Sequence, residues 1–574
     1  MSLYPRWRIL LLSLLLTCGG AFAADRPVAA AHAPTAAAQA QRPGHAAIAS
    51  ANFLATHAGL EVIAAGGNAF DAAVAVASTL SVVEPESSGM GGGFMAVLRR
   101  ASDGREVFID AREVAPGAVN AKDYLKADGT PNRDAALNGP LSAGIPGEPA
   151  GLAWLAEHYG RLPLKQSLAP AIRTARDGFE PDGRLRDSIA ARADDLRRWP
   201  ASAAKYFVDG KPPAAGKLWR DPDQARTIEL LAEHGRDGFY KGEVARKLVA
   251  AVRDAGGNWS EADLAAYGVK ERVPISVDYR GYRIVTAPPP SSGGVAVAEI
   301  LNILRGVETE KLDRAHRIHY VIEAMRRAFR DHNDYLGDPD FVKMPLDMLL
   351  SPYYADGLRQ SILPDKATPS SMLPSSAARD PGPHTTHFSI IDKDGNMIAV
   401  TSTVNYTLGS TFVAAGTGVL LNDEMDDFAL VPNKPNVYGL LGSTANAPKP
   451  GKRMLSSMTP SLVIGADRTA VIGSPGGSTI ITQVLEGILA FIDGRDASDI
   501  VAQKRYHHQF MPDRVDVEPG VFDAATTGEL ERMGYTLHPR EPWGFMNVVT
   551  WDHRDNKLDA ASDPRRPSGL GKVQ

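Results

Sequence analysis

Cysteine is nearly absent from this chain. Of 574 residues only Cys18 is a cysteine. Everything downstream therefore lacks disulfides, thiol nucleophiles and cysteine metal sites. A long apolar run is also missing, because the stretch from Ile9 to Leu16 is too short for a stop-transfer helix. Neither sign of charge dominates: 62 Lys and Arg face 67 Asp and Glu, for a net charge of -5. With no basic stripe, nothing points to nucleic acid. No motif repeats with a period of about 20 to 50 residues, which excludes solenoids and propellers. What remains is an ordinary globular composition, 44% hydrophobic and 22% charged, with 54 glycines and 41 prolines spread along the chain as turns. The length fits roughly two to four domains, or one large elaborated one.

The N-terminus reads as an export signal. Arg6 and Arg8 precede the Ile9–Leu16 run, and Ala21-Phe22-Ala23 closes it. A basic segment, an apolar segment and an A-x-A site predict a signal peptide over residues 1–23 and a periplasmic or secreted product. Lipid attachment at Cys18 is disfavoured, since Thr17 stands where Gly, Ala or Ser usually precedes such a cysteine. Residues 24–44, rich in Ala, Pro and Gln, form a flexible lead-in. A mature chain without cysteine must rely on core burial for its stability.

Further on, Asn68 is placed to cap a small-residue helix over Ala69 to Leu80. Met95 to Leu98 and Glu106 to Glu113 read as paired strands, and residues 150–260 read mostly as helix. A strand is expected from Tyr279 to Ala287, and an amphipathic helix from Asp313 to Asp334. His387 to Ile391 and Met397 to Val404 alternate around Asp392-Lys-Asp-Gly-Asn396 and predict a hairpin. A second strand pair, Ser461 to Ile464 and Thr469 to Ile472, leads through Gly473-Ser-Pro-Gly-Gly-Ser478 into a helix from Ile480 to Ile492. Strand pairs flanked by helices in both halves favour a layered α+β architecture.

Thr385 is the residue with the most chemistry to offer. A breaker-rich segment from Leu363 to His384 ends abruptly at the strand pattern that Thr385 heads. Scission between His384 and Thr385 would give that threonine a free α-amino group beside its own hydroxyl, so that nucleophile and base share one residue. An α-amine with a pKa of roughly 7.7–8.0 serves as a base near neutrality without burial. A plain strand start is the alternative reading of Thr385-Thr386. Thr403 and Asn405, at the end of the return strand, lie near enough to place a hydroxyl and an amide beside it. Gly476 and Gly477, between strand and helix, offer backbone N–H groups to an oxyanion. They lack the Lys-Ser/Thr ending of a nucleotide loop, and a tight turn is their structural alternative. Arg112, Glu424 and Asp427 are separately ordinary surface charges; together they clamp a zwitterionic amino acid, with carboxylate on arginine and ammonium on the acids. Ser456 and Ser457 add hydroxyl donors. Asp392 to Asn396 is not a calcium loop, because Met397 replaces the turn glycine. His507-His508 has no partner ligands and is read as structural.

Taken in order, GGNAFDAAVA near residue 67, VVEPESSGMGGGF, DAREVAP, LGDPDF, TTHFSIIDKDGN, STVNYTLGS, LLNDEMDDF, PNVYGL, LSSMTPS, GSPGGS and ASDPR closely resemble the γ-glutamyltransferase (glutathione hydrolase) family of N-terminal nucleophile hydrolases. The resemblance spans about residue 45 to the C-terminus. It implies a four-layer αββα sandwich that cleaves itself into a large subunit, 45–384 after the lead-in, and a small catalytic subunit, 385–574. It implies Thr385 as nucleophile, Thr403 as its positioning threonine, and Gly476 and Gly477 as the oxyanion hole. Arg112, Ser456 and Ser457 would hold the α-carboxylate of the γ-glutamyl group, and Asn405, Glu424 and Asp427 its α-ammonium. Tyr438 would cover the pocket. Substrates would be glutathione and other γ-glutamyl compounds, with water, amino acids or dipeptides as acceptors, and no metal or organic cofactor. Two alternatives stay open at this point: a related acylase opening glutaryl amides, and a periplasmic amino-acid-binding protein that uses the clamp without chemistry.

Overall fold

The computed structural model describes residues 42–373, 385–431, 434–440 and 442–574. The signal peptide, Cys18, nearly all of the lead-in, and His384 with the segment before it lie outside the described residues.

Two antiparallel sheets form the centre. The first has seven strands, in the spatial order Leu570–Val573, Ala47–Ser50, Thr386–Ile391, Met397–Thr403, Gly93–Arg99, Glu106–Ala111 and Lys270–Arg272. The second has six: Lys557–Ser562, Asn547–Asp552, Arg468–Gly473, Ser461–Ile464, Tyr282–Thr286 and Ile275–Tyr279. Strand alternation assigns the two faces of the first sheet to two different cores. Ile48, Phe94, Ala96, Leu98 and Ile109 pack with the helices Phe53–Ala64, Ala69–Val83, Glu148–His158 and Leu164–Asp177. Ala47, Ala49, Met95, Val97 and Phe108 pack instead on Val285, Leu462, Val471 and Val549 of the second sheet. That core continues to the helices Gly293–Arg305, Arg314–Tyr335 and Ile480–Ile492 on the far side. The order helix, sheet, sheet, helix is the expected αββα sandwich. Apolar side chains are buried on both faces of the inner strands, so these strands lack the clean polar alternation of a half-exposed sheet.

Local expectations mostly hold. Asn68 caps Ala69–Val83 in a reciprocal capping box with Asp71. The hairpin pairs Thr386 with Ser402 and Ile391 with Met397. Its turn is tied by Asp392, whose Oδ1 accepts the amides of Asp394 and Asn396 at 2.9 Å each. The strand expected from Tyr279 to Ala287 is corrected to two strands, Ile275–Tyr279 and Tyr282–Thr286, folded about Arg280 and Gly281. Both turn residues have positive φ, 48° and 81°. That is the two-residue hairpin geometry usually advertised by Asn-Gly, and arginine in the first place disguised it. A small sheet of Tyr506–His507, Val515–Val517 and Leu537–Pro539 was not foreseen.

Candidate active site

Thr385 heads the central strand Thr386–Ile391 and is buried, at 5% exposure. Its neighbours hold that strand end firmly. Thr386 Oγ1 donates to Glu84 Oε2 at 2.7 Å, and Glu84 is paired to buried Arg566 at 2.6 Å. His387 places Nδ1 2.9 Å from Thr401 Oγ1 and Nε2 3.1 Å from Ser389 Oγ. Burial lowers the His387 pKa to about 3, so the ring is neutral. It lies against Gly473, where any Cβ would meet its Cε1 at 2.2 Å.

A narrow cavity of ≈ 40 Å³ opens at Thr385. Thr385, Thr403, Asn405, Arg112, Glu424, Asp427, Tyr438, Ser456, Ser457 and Gly477 all line it. These come from seven separate stretches of sequence. Among the described residues expected at the site, only Gly476 is outside the lining; it sits one residue back, its carbonyl accepting Thr479 Oγ1 at 2.7 Å.

Thr385 Oγ1 lies 3.5 Å from Thr403 Oγ1, the long limit of a hydrogen bond. Thr403 Oγ1 also accepts the Asn405 amide at 2.8 Å. Asn405 has φ 74°, and Leu408 and Thr411 follow at 58° and 59°. Left-handed conformations at such side chains cost about 1–3 kcal/mol each and persist only where surroundings impose them. Here Asn405 Nδ2 donates to Asp423 O at 2.9 Å, the Tyr406 amide to Asp423 Oδ1 at 2.9 Å, and the Tyr438 hydroxyl to Asn405 O at 2.6 Å. Tyr438 also presses its ring on Gly477 (φ 58°), where a Cβ would lie 2.5 Å from the ring. Neither the Gly476 nor the Gly477 amide donates to a protein acceptor among the described residues.

The acidic end is built around one guanidinium. Arg112 is buried, with Nη1 2.6 Å from Glu424 Oε2 and 3.5 Å from Glu113 Oε2, and Nη2 2.5 Å from Asp427 Oδ2. Two buried carboxyl groups, Glu113 and Glu424, and the half-buried Asp427 thus surround one cation, too little positive charge to keep all three ionised. Burial pushes Glu113 up to about 7, and raises Glu424 and Asp427 as well, against the pull of Arg112. The Glu424 and Glu113 oxygens make no hydrogen bond of good geometry. Their partner is the Arg112 guanidinium, met as an ion pair. Ser456 Oγ accepts the Met458 amide at 3.1 Å, and its backbone is pinned through Ser456 O to the Ser292 amide at 2.8 Å.

Sequence reasoning missed Asn436, Asn446 and His332, which also line the cavity. Asn436 Nδ2 donates to Asp427 Oδ1 at 3.0 Å and Asn446 Nδ2 to Asp427 O at 2.7 Å, so both aim Asp427. Asn436, two residues before Tyr438, was within reach of a closer reading of PNVYGL; His332 sits in a helix with nothing local to mark it.

A threonine at the head of an inner strand, beside a pocket in an αββα sandwich, defines an N-terminal nucleophile hydrolase. The family model for gamma-glutamyltranspeptidase matches residues 55–573. A glutathione hydrolase proenzyme from Pseudomonas sp. (strain A14) is 42% identical over 91% of this chain and 93% of its own length. One from Escherichia coli (strain K12) is 40% identical over 91% of each. Among solved structures, cephalosporin acylase from Bacillus halodurans superposes with a TM-score of 0.80 at 29% identity, covering 94% of this chain and 98% of its own. The chain belongs to the gamma-glutamyltranspeptidase family.

Proposed function

We infer that this protein is a self-processing γ-glutamyl hydrolase and transferase acting on glutathione and related γ-glutamyl compounds. The observation that carries the reading is that Thr385 and the ion-paired Arg112–Glu424–Asp427 cluster line one cavity. A γ-glutamyl group has the matching shape, with a reactive carbonyl three carbons from a zwitterionic centre.

In the first step Thr385 Oγ1 attacks the carbonyl of His384. The C–O bond forms, the C–N bond breaks, and the proton passes to the departing nitrogen, which becomes the α-amine of Thr385. Water then cleaves the ester and releases His384 as a carboxylate. In turnover the α-amine takes the hydroxyl proton as Oγ1 attacks the γ-carbonyl, and the Gly476 and Gly477 amides receive the oxyanion. Thr403 holds the hydroxyl in line. The leaving amine collects the proton, and the γ-glutamyl ester passes to water or to the amino group of an amino acid or dipeptide.

Arg112 with Ser456 and Ser457 holds the α-carboxylate in this scheme, while Asn405, Glu424 and Asp427 hold the ammonium. Substrate carboxylate must then displace Asp427 and Glu424 from Arg112, and substrate ammonium re-pairs them. The exchange keeps every charge compensated. The residues before the described region fit export, with processing near Ala23.

The test combines N-terminal sequencing of the smaller piece with release of p-nitroaniline from γ-glutamyl and glutaryl anilides. A piece beginning at Thr385 and preference for the γ-glutamyl compound are expected. Thr385→Ala should stay uncut and inactive; a cleaved Thr385→Ala chain would refute the shared role of that hydroxyl. Preference for the glutaryl anilide would favour the acylase alternative.

A further inference from the structure

A second cavity, of ≈ 480 Å³, lies on the outer side of the Ile480–Ile492 helix and shares no lining residue with the catalytic one. Ile480 faces the catalytic cavity, whereas Glu486, Leu489 and Ala490 face this one. Six residues of helix separate Ile480 from Glu486 by ~9 Å. The volume falls in the usual range for small-molecule sites, about 300–1,000 Å³.

Leu304, Ile318, Val321, Leu489 and Phe522 give it an apolar wall, beside polar residues that include Asp493. Its floor carries a carboxyl group that the catalytic scheme does not use. Glu486 is 7% exposed; its Oε1 accepts the Tyr506 amide at 3.1 Å, while buried Oε2 has no hydrogen-bond partner among the described residues. Gln503 Nε2, a second buried polar atom on the same cavity, is also unpartnered. An unmatched buried polar group is destabilising, so two at one cavity call for a ligand or ordered solvent. The mouth is cationic. Arg314, Arg317 and Arg495 reach Asp523, Asp493 and Asp499 at 3.2, 3.6 and 3.4 Å, while Lys504 makes no ion pair among the described residues.

The cavity thus has an anionic floor, an apolar wall and a cationic mouth. We propose that it binds a short peptide through its free amino terminus, with the ammonium on Glu486, an apolar first side chain against Leu304, Val321 and Phe522, and the carboxylate at Lys504 and Arg317. Burial raises Glu486 well above the ordinary carboxyl range, and a ligand ammonium is the partner that would stabilise its charged form. A simple anion would meet the mouth but leave Glu486 unmatched. A simple amine would do the reverse.

Isothermal titration of Leu-Gly into the processed full-length enzyme tests this. Saturable binding is expected, weakened about tenfold or more by Glu486→Gln and by Lys504→Ala, and abolished by acetylating the dipeptide amine. Lys504 is exposed and makes no ion pair among the described residues, so Lys504→Ala decides the matter if Glu486→Gln does not fold. Absence of saturable heat at millimolar dipeptide overturns the proposal. So does binding that survives both variants, because the dipeptide would then be sitting in the catalytic cavity as an acyl acceptor. Neither variant touches Thr385 or its clamp, so failure here leaves the γ-glutamyl reading intact.

Discussion

At the scale of single residues, Asp427 bears the heaviest demand. Its Oδ2 meets Arg112 at 2.5 Å, Oδ1 accepts Asn436, and its backbone carbonyl accepts Asn446. Asp427→Asn keeps the shape but removes the anion that a substrate ammonium would meet. A charged hydrogen bond of about 1.5–3 kcal/mol corresponds to a KM for the γ-glutamyl donor roughly ten- to a hundredfold higher. Self-cleavage needs no ammonium clamp, so the variant should still run as two bands on a denaturing gel. Equal loss of cleavage and donor binding would mean a folding defect and would remove Asp427 from the clamp. Gly477→Ala makes the complementary case. The added methyl meets the Tyr438 ring at 2.5 Å on a backbone at φ 58°, so both the Tyr438 ring and the Gly477 amide shift. Turnover should fall at least about tenfold, the scale of losing part of an oxyanion site, with KM less affected. Unchanged kcat would place the oxyanion elsewhere. Thr385 was legible because a breaker-rich segment ends at it. Asn446 and His332 were not, because their place at the cavity comes from tertiary packing alone.

At the scale of elements, the helix Glu148–His158 carries a cost at its first turn. Glu148 is fully buried, with Oε2 accepting Ser402 Oγ at 2.8 Å and Oε1 without a hydrogen-bond partner among the described residues. Helix starts favour anions, yet burial dominates and lifts this carboxyl to about 8, with Glu113 adding to the rise. The folded state therefore holds a proton that the unfolded chain has released. Between an unfolded value near 4.5 and about 8 the native state binds more protons, so this group's contribution to stability falls as pH rises. Glu148→Gln removes that dependence. Its melting temperature should be close to wild type near pH 5 and above it near pH 9. A gap that shrinks or reverses on going alkaline would show that Glu148 is ionised when folded. Element types were readable where local signals were strong, as in the Asn68 cap and the Asp392–Asn396 turn. They failed at Arg280-Gly281, where the backbone adopts a turn that its side chains do not advertise. The stacking order of the layers was not readable from periodicity, since inner strands buried on both faces leave no polar stripe; it came from family resemblance.

At the scale of the whole molecule, what matters is how the segments before and after position 385 share the two sheets. In the first sheet Thr386–Ile391 lies between Ala47–Ser50 and Met397–Thr403, and Met397–Thr403 pairs on its other side with Gly93–Arg99. The C-terminal strand Leu570–Val573 closes against Ala47–Ser50. In the second sheet Tyr282–Thr286 pairs with Ser461–Ile464. Neither proposed subunit can complete a sheet alone, and each would expose unpaired strand edges and apolar faces if separated. Buried ion pairs cross the same boundary, with Arg566 on Glu84 and Arg112 on Glu424. Breaking one peptide bond at Thr385 therefore frees a chain end without dividing the core. The processed enzyme should unfold in urea as one cooperative unit, with near-UV circular dichroism and subunit dissociation by size exclusion sharing a midpoint. A small subunit released below that midpoint, or two resolved transitions, would show that the interleaved strands do not couple the pieces. Residues 385–574 expressed alone should lack near-UV signal and aggregate, because four of the seven strands in the first sheet would be missing. Co-expression with the preceding segment supplies those four strands and should restore a soluble, active complex, which makes strand complementation, and not the intact peptide bond, the source of the native fold.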